Sequence, residues 1–287
     1  MYIDARTPAE VCRSLHRLGP RARLLAGGTT LYELAHRGLL DEVETLIDLH
    51  HLGLDYVRAD RQGLRIGAMT TFTALGADPL LRTTPGLEGL VEAIYEVRPV
   101  QVRNVGTVGG AVCSGLPFFD LPPMLLALDA HLRIFGPRGQ RELPLDRFYV
   151  NYFTTRLRRG EFLSAVRLPR LPPGSVTAFQ KFAITGDDWA LINCGVRLTL
   201  DPHRVCQDVR IAVGGGVTPT IHRPRRTEAL LHQKALSEEL LAEAARTLGA
   251  EVDTVTDARA SAEYRLTVAG VILRRALRRA MSRRVPA

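Results

Sequence analysis

The chain contains 287 residues, of which 46% are apolar and 24% are charged. This length and composition suit a folded protein with a sizeable core, and they exclude disorder as its main state. The formal net charge of +8 is compatible with an acidic partner, a nucleic acid or a phosphate-bearing cofactor. No apolar run approaches the length of about 18 residues that a transmembrane helix needs, so we expect none.

The N-terminus and the cysteines indicate the compartment. The first residues include Asp4 and no apolar run, which is not typical of a signal peptide. Cys12, Cys113, Cys194 and Cys206 form no C-x-x-C pair, so we predict reduced thiols in a cytoplasmic protein. Because cysteine and histidine ligands are not grouped along the sequence, we expect no iron–sulfur cluster, zinc or other metal in this chain.

The first predicted elements form a βαβ-like unit. Thr7 is placed to cap a helix, and Glu10 completes a capping box with it. Gly19 is the expected end of this helix. The pattern then predicts a strand at 23–26, a helix at about 31–37 and a strand at 45–49.

Beyond residue 55 the pattern changes to strands and short helices. The predicted strands lie at 64–68, 132–135 and 162–168, and the predicted short helices lie at 71–77 and 87–96. Residues 168–174 hold three prolines and a glycine, which neither a helix nor a central strand accommodates. We therefore place a domain boundary near residue 170. Later elements are strands at 191–200 and 207–213, and helices from about 226.

This boundary predicts two domains. The first covers 1–170, with a βαβ part at about 1–54 and a mixed-sheet part at 55–170. The second covers 175–287.

Two glycine pairs are the main chemical signals. At 24–31 a predicted strand leads into Gly27, Gly28 and two threonines before a helix, an order that suits a backbone nest for a phosphate. Its alternative is an ordinary strand-to-helix turn. A second glycine pair lies within 103–111. Neither segment has the Rossmann or P-loop spacing, so together they suggest a dinucleotide held from two sides without a Rossmann fold.

Two other features have ordinary explanations. Asp120 precedes a proline pair and is typical of a turn, unless it faces the same cavity as the glycine segments. The last predicted helix places apolar residues at helical spacing and arginines on one side, which indicates a solvated face or a docking face for an acidic partner. The apolar residues are Leu266, Gly270, Leu273, Leu277 and Met281, and the arginines are Arg274, Arg275, Arg278, Arg279, Arg283 and Arg284.

With these segments in this order, the chain resembles the FAD-binding medium subunits of the molybdenum hydroxylases. That family includes the flavin domain of xanthine dehydrogenase and the flavoprotein of aerobic carbon monoxide dehydrogenase. One departure is Ala111, which stands where the family has asparagine and so lacks a hydrogen-bonding side chain near the cofactor. The resemblance covers nearly the whole chain through segments 26–31, 107–111, 117–123, 125–130, 161–163, 179–181, 187–190, 214–216 and 261–265.

The resemblance implies an α+β fold. A two-part FAD-binding domain of the vanillyl-alcohol-oxidase type would be followed by a small antiparallel sheet with a helix bundle. Trp189 is interpreted as a core residue, with a place beside the flavin or at a subunit contact as the alternative.

The resemblance also implies FAD as the cofactor. Asp120 would accept a hydrogen bond from a ribose or ribityl hydroxyl, and Leu163 would pack on the flavin or adenine. Lys181 would lie near the polar edge of the flavin, or would form a structural salt bridge. The implied cofactor contacts are Leu24, Leu25, Ala26, Gly27, Gly28, Thr29, Thr30, Leu31, Thr107, Val108, Gly109, Gly110, Ala111, Asp120, Leu163 and Lys181.

The family implies electron transfer by bound flavin in a multisubunit enzyme. Substrate would be hydroxylated on a large molybdopterin subunit, and electrons would pass through a small iron–sulfur subunit to this chain and then to an external acceptor. A dimer of heterotrimers is expected, with no nucleic acid. The alternatives are a flavin-free basic scaffold or nucleic-acid-binding module and a stand-alone flavin oxidoreductase.

Overall fold

A computed structural model describes residues 1–284, which separate into two units by their contacts. The first unit comprises residues 1–78, 99–115 and 130–169, and the second comprises 79–98, 116–129 and the residues from 170 onward. Two stretches that precede the predicted boundary near residue 170 therefore fold with the C-terminal part of the chain. Within residues 1–284, no helix is both long and apolar enough to cross a membrane.

The first unit opens with a three-stranded parallel sheet. Its elements are β1 (Tyr2–Asp4), α1 (Pro8–Leu18), β2 (Ala22–Leu25), α2 (Thr29–His36) and β3 (Thr45–Asp48), in the strand order β1-β3-β2. The capping box at Thr7 and Glu10 is present, and α1 ends at Gly19 as predicted. Val11 and Ile47 are fully buried in the core between α1 and the sheet. The predicted βαβ unit is therefore confirmed.

Six helices occupy the chain between the next strands and residue 130. Strands β4 (Val57–Asp60) and β5 (Gly63–Gly67) come first. The helices are α3 (Phe72–Ala77), α4 (Pro79–Thr83), α5 (Glu88–Tyr95), α6 (Val100–Val105), α7 (Val108–Cys113) and α8 (Leu121–Ala127).

A five-stranded sheet completes the first unit. It adds β6 (His131–Gly136), β7 (Gly139–Pro144) and β10 (Phe162–Pro169) in the order β4-β5-β10-β6-β7, with a separate hairpin of β8 (Tyr149–Asn151) and β9 (Thr154–Thr155). All four neighbouring pairs in the five-stranded sheet are antiparallel. The prediction of a mixed sheet at 55–170 is therefore wrong. Tight hairpins join β4 to β5 and β6 to β7, and such short turns permit antiparallel neighbours only.

The second unit contains a four-stranded antiparallel sheet covered by helices, as predicted. Its elements are β11 (Ser175–Phe182), β12 (Ile192–Leu200), β13 (Val205–Gly214), α9 (Arg225–Leu231), β14 (Lys234–Ala235), α10 (Glu238–Gly249) and α11 (Ala262–Met281). The helices predicted from about 226 are present as α9, α10 and α11, but the strand β14 between α9 and α10 was not predicted. There the backbone turns through a positive φ at Gln233, whose N–H donates to Cys206 O.

The last helix, α11, combines an apolar face with ion-paired arginines. Leu273 and Leu277 are fully buried as predicted, whereas Leu266 is exposed. Four of the six C-terminal arginines are not free on a solvated face, because carboxylates of the same unit pair with them. The pairs are Arg274–Glu238, Arg278–Glu238, Arg279–Glu92 and Arg283–Glu92.

Arg265 is the largest fully buried side chain in residues 1–284. Its guanidinium donates to Gly215 O at 2.9 Å and to Asp257 Oδ1 at 2.6 Å. A Cβ on Gly216 would lie 2.0 Å from Arg265 Nη1, so the glycine turn and the arginine fit only together. Removal of this arginine would leave the buried Gly215 carbonyl without its donor and would take the cation away from Asp257, whose Oδ1 keeps the N–H groups of Arg259 and Ala260.

Arg265→Met is therefore expected to lower the free energy of unfolding by about 3 kcal/mol. Urea denaturation followed by circular dichroism measures this change. Arg275→Met is the control, because Arg275 is an exposed residue of the same helix. Ordinary substitutions cost about 1 kcal/mol. A loss smaller than this for Arg265→Met would contradict a stabilising role for the buried guanidinium.

Candidate cofactor-binding site

The first glycine segment joins β2 to α2. Gly28 caps α2 with a φ of 74°, in the left-handed region where glycine is favoured. No side chain caps this helix end. Helix α2 begins at Thr29, two residues earlier than predicted, so Thr29 and Thr30 form its first turn.

The start of α2 has free hydrogen-bond donors. Within residues 1–284, the backbone N–H groups of residues 28–31 donate to no protein acceptor, and the first N–H to do so is that of Tyr32, toward Gly28 O. Free donors at a helix N-terminus, with the positive end of the helix dipole, form an anion-binding site. This geometry agrees with the phosphate interpretation of 24–31.

The second glycine pair is the first turn of a helix rather than a loop. Thr107 caps α7, and its Oγ1 accepts from Gly110 N at 3.0 Å. The N–H groups of Val108 and Gly109 donate to Thr70 O and Ala68 O. The N–H groups of residues 108–111 are therefore already used within the protein, unlike those at the start of α2.

The structure brings the two glycine segments together in the first unit. A Cβ on Gly27 would lie 1.8 Å from Val105 O and 3.0 Å from the Cα of Gly106. Thr30 Oγ1 lies 3.4 Å from Ser114 Oγ, which donates to Gly110 O. Sequence reasoning missed Ser114, although a hydroxyl four residues after Gly110 is one turn further along the same helix.

Leu163 and Ala111 are buried in the same unit. Leu163 lies in β10 at 3% exposure, and Ala111 lies in α7 at 6%. The pairing of β10 with β6 shifts register between Leu163 and Ala165.

Asp120 and Lys181 bind each other in the second unit. Lys181 Nζ lies 2.7 Å from Asp120 Oδ2, and 5% of each side chain is exposed. Lys181 also donates to Glu96 O at 3.1 Å. Burial raises the pKa of Asp120, and the charge of Lys181 and a hydrogen bond from Asn193 oppose that rise. The salt bridge that was the alternative interpretation of Lys181 is present.

Asn193 is a polar residue of this cluster that sequence reasoning missed. Its Nδ2 donates to Asp120 Oδ1 and to Phe119 O. Its Oδ1 is buried and has no hydrogen-bond partner in residues 1–284. An asparagine between Ile192 and Cys194 in a predicted strand was the available signal, since buried polar groups need partners.

Trp189 belongs to an aromatic cluster and is 37% exposed. Its ring stacks on Phe118 at 6.3 Å and meets the edge of Phe119 at 5.8 Å. The guanidinium of Arg259 lies over the Phe118 ring, with its Cζ 5.8 Å from the ring centre. The tryptophan is therefore packed on one side and open on the other.

The residues of the first unit fit a diphosphate-bearing cofactor. The start of α2 offers unused N–H donors, and Gly27 lets two backbone segments approach more closely than any side chain would permit. No group of three or more residues suited to hold a metal ion occurs in residues 1–284.

Comparison with known proteins gives the same cofactor. Residues 1–171 match the family described as "FAD binding domain in molybdopterin dehydrogenase", and residues 177–280 match "CO dehydrogenase flavoprotein C-terminal domain". The carbon monoxide dehydrogenase medium chain of Hydrogenophaga pseudoflava is 32% identical, over 98% of this chain and 97% of that protein. The putative xanthine dehydrogenase FAD-binding subunit of Escherichia coli strain K12 is also 32% identical, over 86% of this chain and 84% of that protein.

A solved structure agrees along the whole chain. A chain of the Cu,Mo-CO dehydrogenase superposes with a TM-score of 0.93 at 32% identity, covering 99% of this chain and 98% of that one. An FAD-binding domain followed by a flavoprotein C-terminal domain is thus the architecture of this protein. The chain belongs to the medium, FAD-binding subunits of the molybdenum hydroxylase family, and it is an oxidoreductase subunit whose cofactor is FAD.

Proposed function

We propose that this chain is the electron-transfer subunit of a multisubunit molybdenum hydroxylase. Electrons would reach it from iron–sulfur clusters on a small partner chain and would leave to an external acceptor, while a large molybdopterin chain oxidises the substrate. The observation that carries the proposal is the free helix start of α2, packed through Gly27 against Val105 and Gly106. Because the chain belongs to a family of FAD-binding medium subunits, this arrangement supports a preformed dinucleotide site within the chain.

We assign the cofactor diphosphate to the start of α2. The N–H groups of Gly28 to Leu31 would donate to phosphate oxygens, and the hydroxyls of Thr29 and Thr30 are in the same turn. Leu24, Leu25 and Ala26 lead the chain into this turn at the carboxyl end of β2.

The second segment has a different role in the proposal. The backbone N–H groups of residues 108–111 are used within the protein. Residues 107–111 would therefore let the cofactor approach the backbone closely, and would not neutralise its phosphate charge. Ala111 offers no side-chain donor, and the Thr30 and Ser114 hydroxyls are the polar side-chain groups that join the two segments. Leu163 would supply apolar surface for a ring of the cofactor.

Bound FAD supplies the capacity to accept and release electrons. The assignment of Asp120 and Lys181 to the cofactor rests on the family resemblance. The ion pair of these residues modifies the expectation for Lys181, because Asp120 offsets much of the lysine charge at 2.7 Å. A cation near a flavin favours the reduced, anionic ring, and the paired lysine would do so less strongly than a free one.

Gly27→Ala is expected to weaken FAD binding about 100-fold, because a Cβ 1.8 Å from Val105 O forces the two segments apart. Fluorescence titration of the apoprotein with FAD measures the dissociation constant, and about one FAD per wild-type chain should bind. Gly249→Ala is the matched control, because a Cβ on Gly249, the last residue of α10, would make only an ordinary contact, 3.6 Å from Leu266 Cδ1. Unchanged FAD affinity in Gly27→Ala would refute the proposed diphosphate site at the start of α2.

Lys181→Met is expected to lower the reduction potential of bound FAD by about 30 mV, which for a two-electron couple equals about 1.4 kcal/mol. A spectroelectrochemical titration reads the potential directly. Lys234→Met provides the control, since Lys234 is the only other lysine and is exposed in β14. If the potential stays unchanged while FAD remains bound, Lys181 acts only through its ion pair with Asp120.

The complex itself tests the electron-transfer proposal. Purified from its native host, the chain is expected to co-purify with a small and a large chain, and the complex should contain flavin, iron and molybdenum. Sedimentation should give the mass of a dimer of heterotrimers. Reduction of the flavin by the substrate of the large chain, lost in Gly27→Ala, would support the assigned route. A flavin-containing chain without iron or molybdenum would refute it.

A further inference from the structure

The first unit carries a cluster of exposed cations that the FAD site does not use. The cluster draws on three segments: helix α1, the turn after β6, and the loop before β10. We call it the basic patch, and it consists of Arg13, Arg17, Arg138, Arg156, Arg158 and Arg159.

Direct contacts hold these three segments together. Arg159 Nε donates to His16 O in the last turn of α1 at 2.8 Å. A Cβ on Gly160 would lie 3.3 Å from Cys12 O and 3.0 Å from Pro137 Cγ. The loop before β10 is thus packed against both the helix and the turn, so the basic patch is one continuous surface.

The basic patch contains few carboxylates. Segments 8–18, 137–141 and 156–161 contain only two carboxylates, Glu10 and Glu161. Glu10 is held in the capping box of α1. Glu161 pairs with Arg141 at 2.6 Å and accepts from Arg158 N at 2.8 Å. None of the six patch arginines forms an ion pair within residues 1–284.

The basic patch lies away from the cofactor phosphates. Strands β1 and β2 both pair parallel to β3, so the connecting helix α1 runs antiparallel to them and ends at their amino edge. The Gly27–Gly28 turn follows the carboxyl end of β2. The loop at Arg159 is fixed to the last turn of α1, at the edge opposite the free donors of α2. The cations are therefore not placed to neutralise the phosphates at the proposed site.

We propose that the basic patch is a docking surface for a carboxylate-rich surface of a partner protein. Guanidinium groups bind carboxylates in bidentate geometry, and every cation of the patch is an arginine. The three segments contain no aromatic residue, whereas sites for single-stranded nucleic acid interleave aromatics with the cations. Long-range attraction by such a patch raises association rates and fixes orientation. This docking is independent of the proposed electron-transfer role.

Fluorescence anisotropy tests the docking surface with a labelled 20-residue poly-L-glutamate as the probe and the FAD-loaded chain as the receptor. Arg13→Glu/Arg138→Glu/Arg158→Glu is expected to weaken binding of the probe about tenfold or more at low salt. The control is Arg61→Glu/Arg170→Glu/Arg246→Glu, which changes the net charge equally at exposed arginines outside the patch. The control should change the affinity less than about twofold.

Three outcomes would overturn the docking surface. The first is no binding of poly-L-glutamate by the wild-type chain, and the second is equal loss in both triple variants, which would reflect net charge alone. The third is loss of binding to a 20-base-pair DNA duplex in the patch variant with poly-L-glutamate binding intact, which would assign the patch to nucleic acid. The neutral variant Arg13→Gln/Arg138→Gln/Arg158→Gln should give an intermediate loss, and matching thermal unfolding curves would show that all variants are folded.

Discussion

The contact of Gly27 with Val105 and Gly106 is the constraint on which the cofactor site depends. Two stretches of backbone that are almost eighty residues apart in sequence lie so close together here that a methyl group would not fit between them. This contact fixes the position of the turn before α2, whose free N–H groups are the donors that we propose for the diphosphate. The turn follows β2 of the parallel sheet, and Thr30 in α2 lies 3.4 Å from Ser114, the residue after α7.

The two glycine pairs look equivalent in sequence but have different physical roles. The donors at the start of α2 are free, whereas those at the start of α7 are satisfied by Thr70, Ala68 and Thr107. An isolated helix end would lose entropy when a ligand ordered it, but α7 is already ordered by its own hydrogen bonds. Under the proposed assignment, the start of α7 is a preformed support, and the start of α2 supplies the N–H donors for the phosphates. A dinucleotide can be bound without ordering both sides of its site.

Local signals in the sequence predicted local structure well. The capping box at Thr7 and Glu10 and the stop at Gly19 involve neighbours in the chain, and they were found directly. β1 was missed because three residues are too few to show alternation. The ion pair between Asp120 and Lys181 joins residues 61 positions apart, and the unused donors of α2 depend on what packs around them. Such features arise from tertiary contacts, which periodicity does not encode. The family resemblance supplied the cofactor, but it did not separate the roles of the two glycine pairs.

The course of the chain between its two units has a consequence for folding during synthesis. The polypeptide passes from one unit to the other at residues 78, 98, 115, 129 and 169. Helix α8 consists entirely of buried residues, and Gly89 N in α5 donates to Thr177 Oγ1 in β11. Both helices leave the ribosome well before the sheet that covers them. Their apolar faces therefore stay exposed until about fifty to eighty further residues have been synthesised. A fragment cut near residue 170 would keep those faces without a cover, and would be a poor candidate for separate expression.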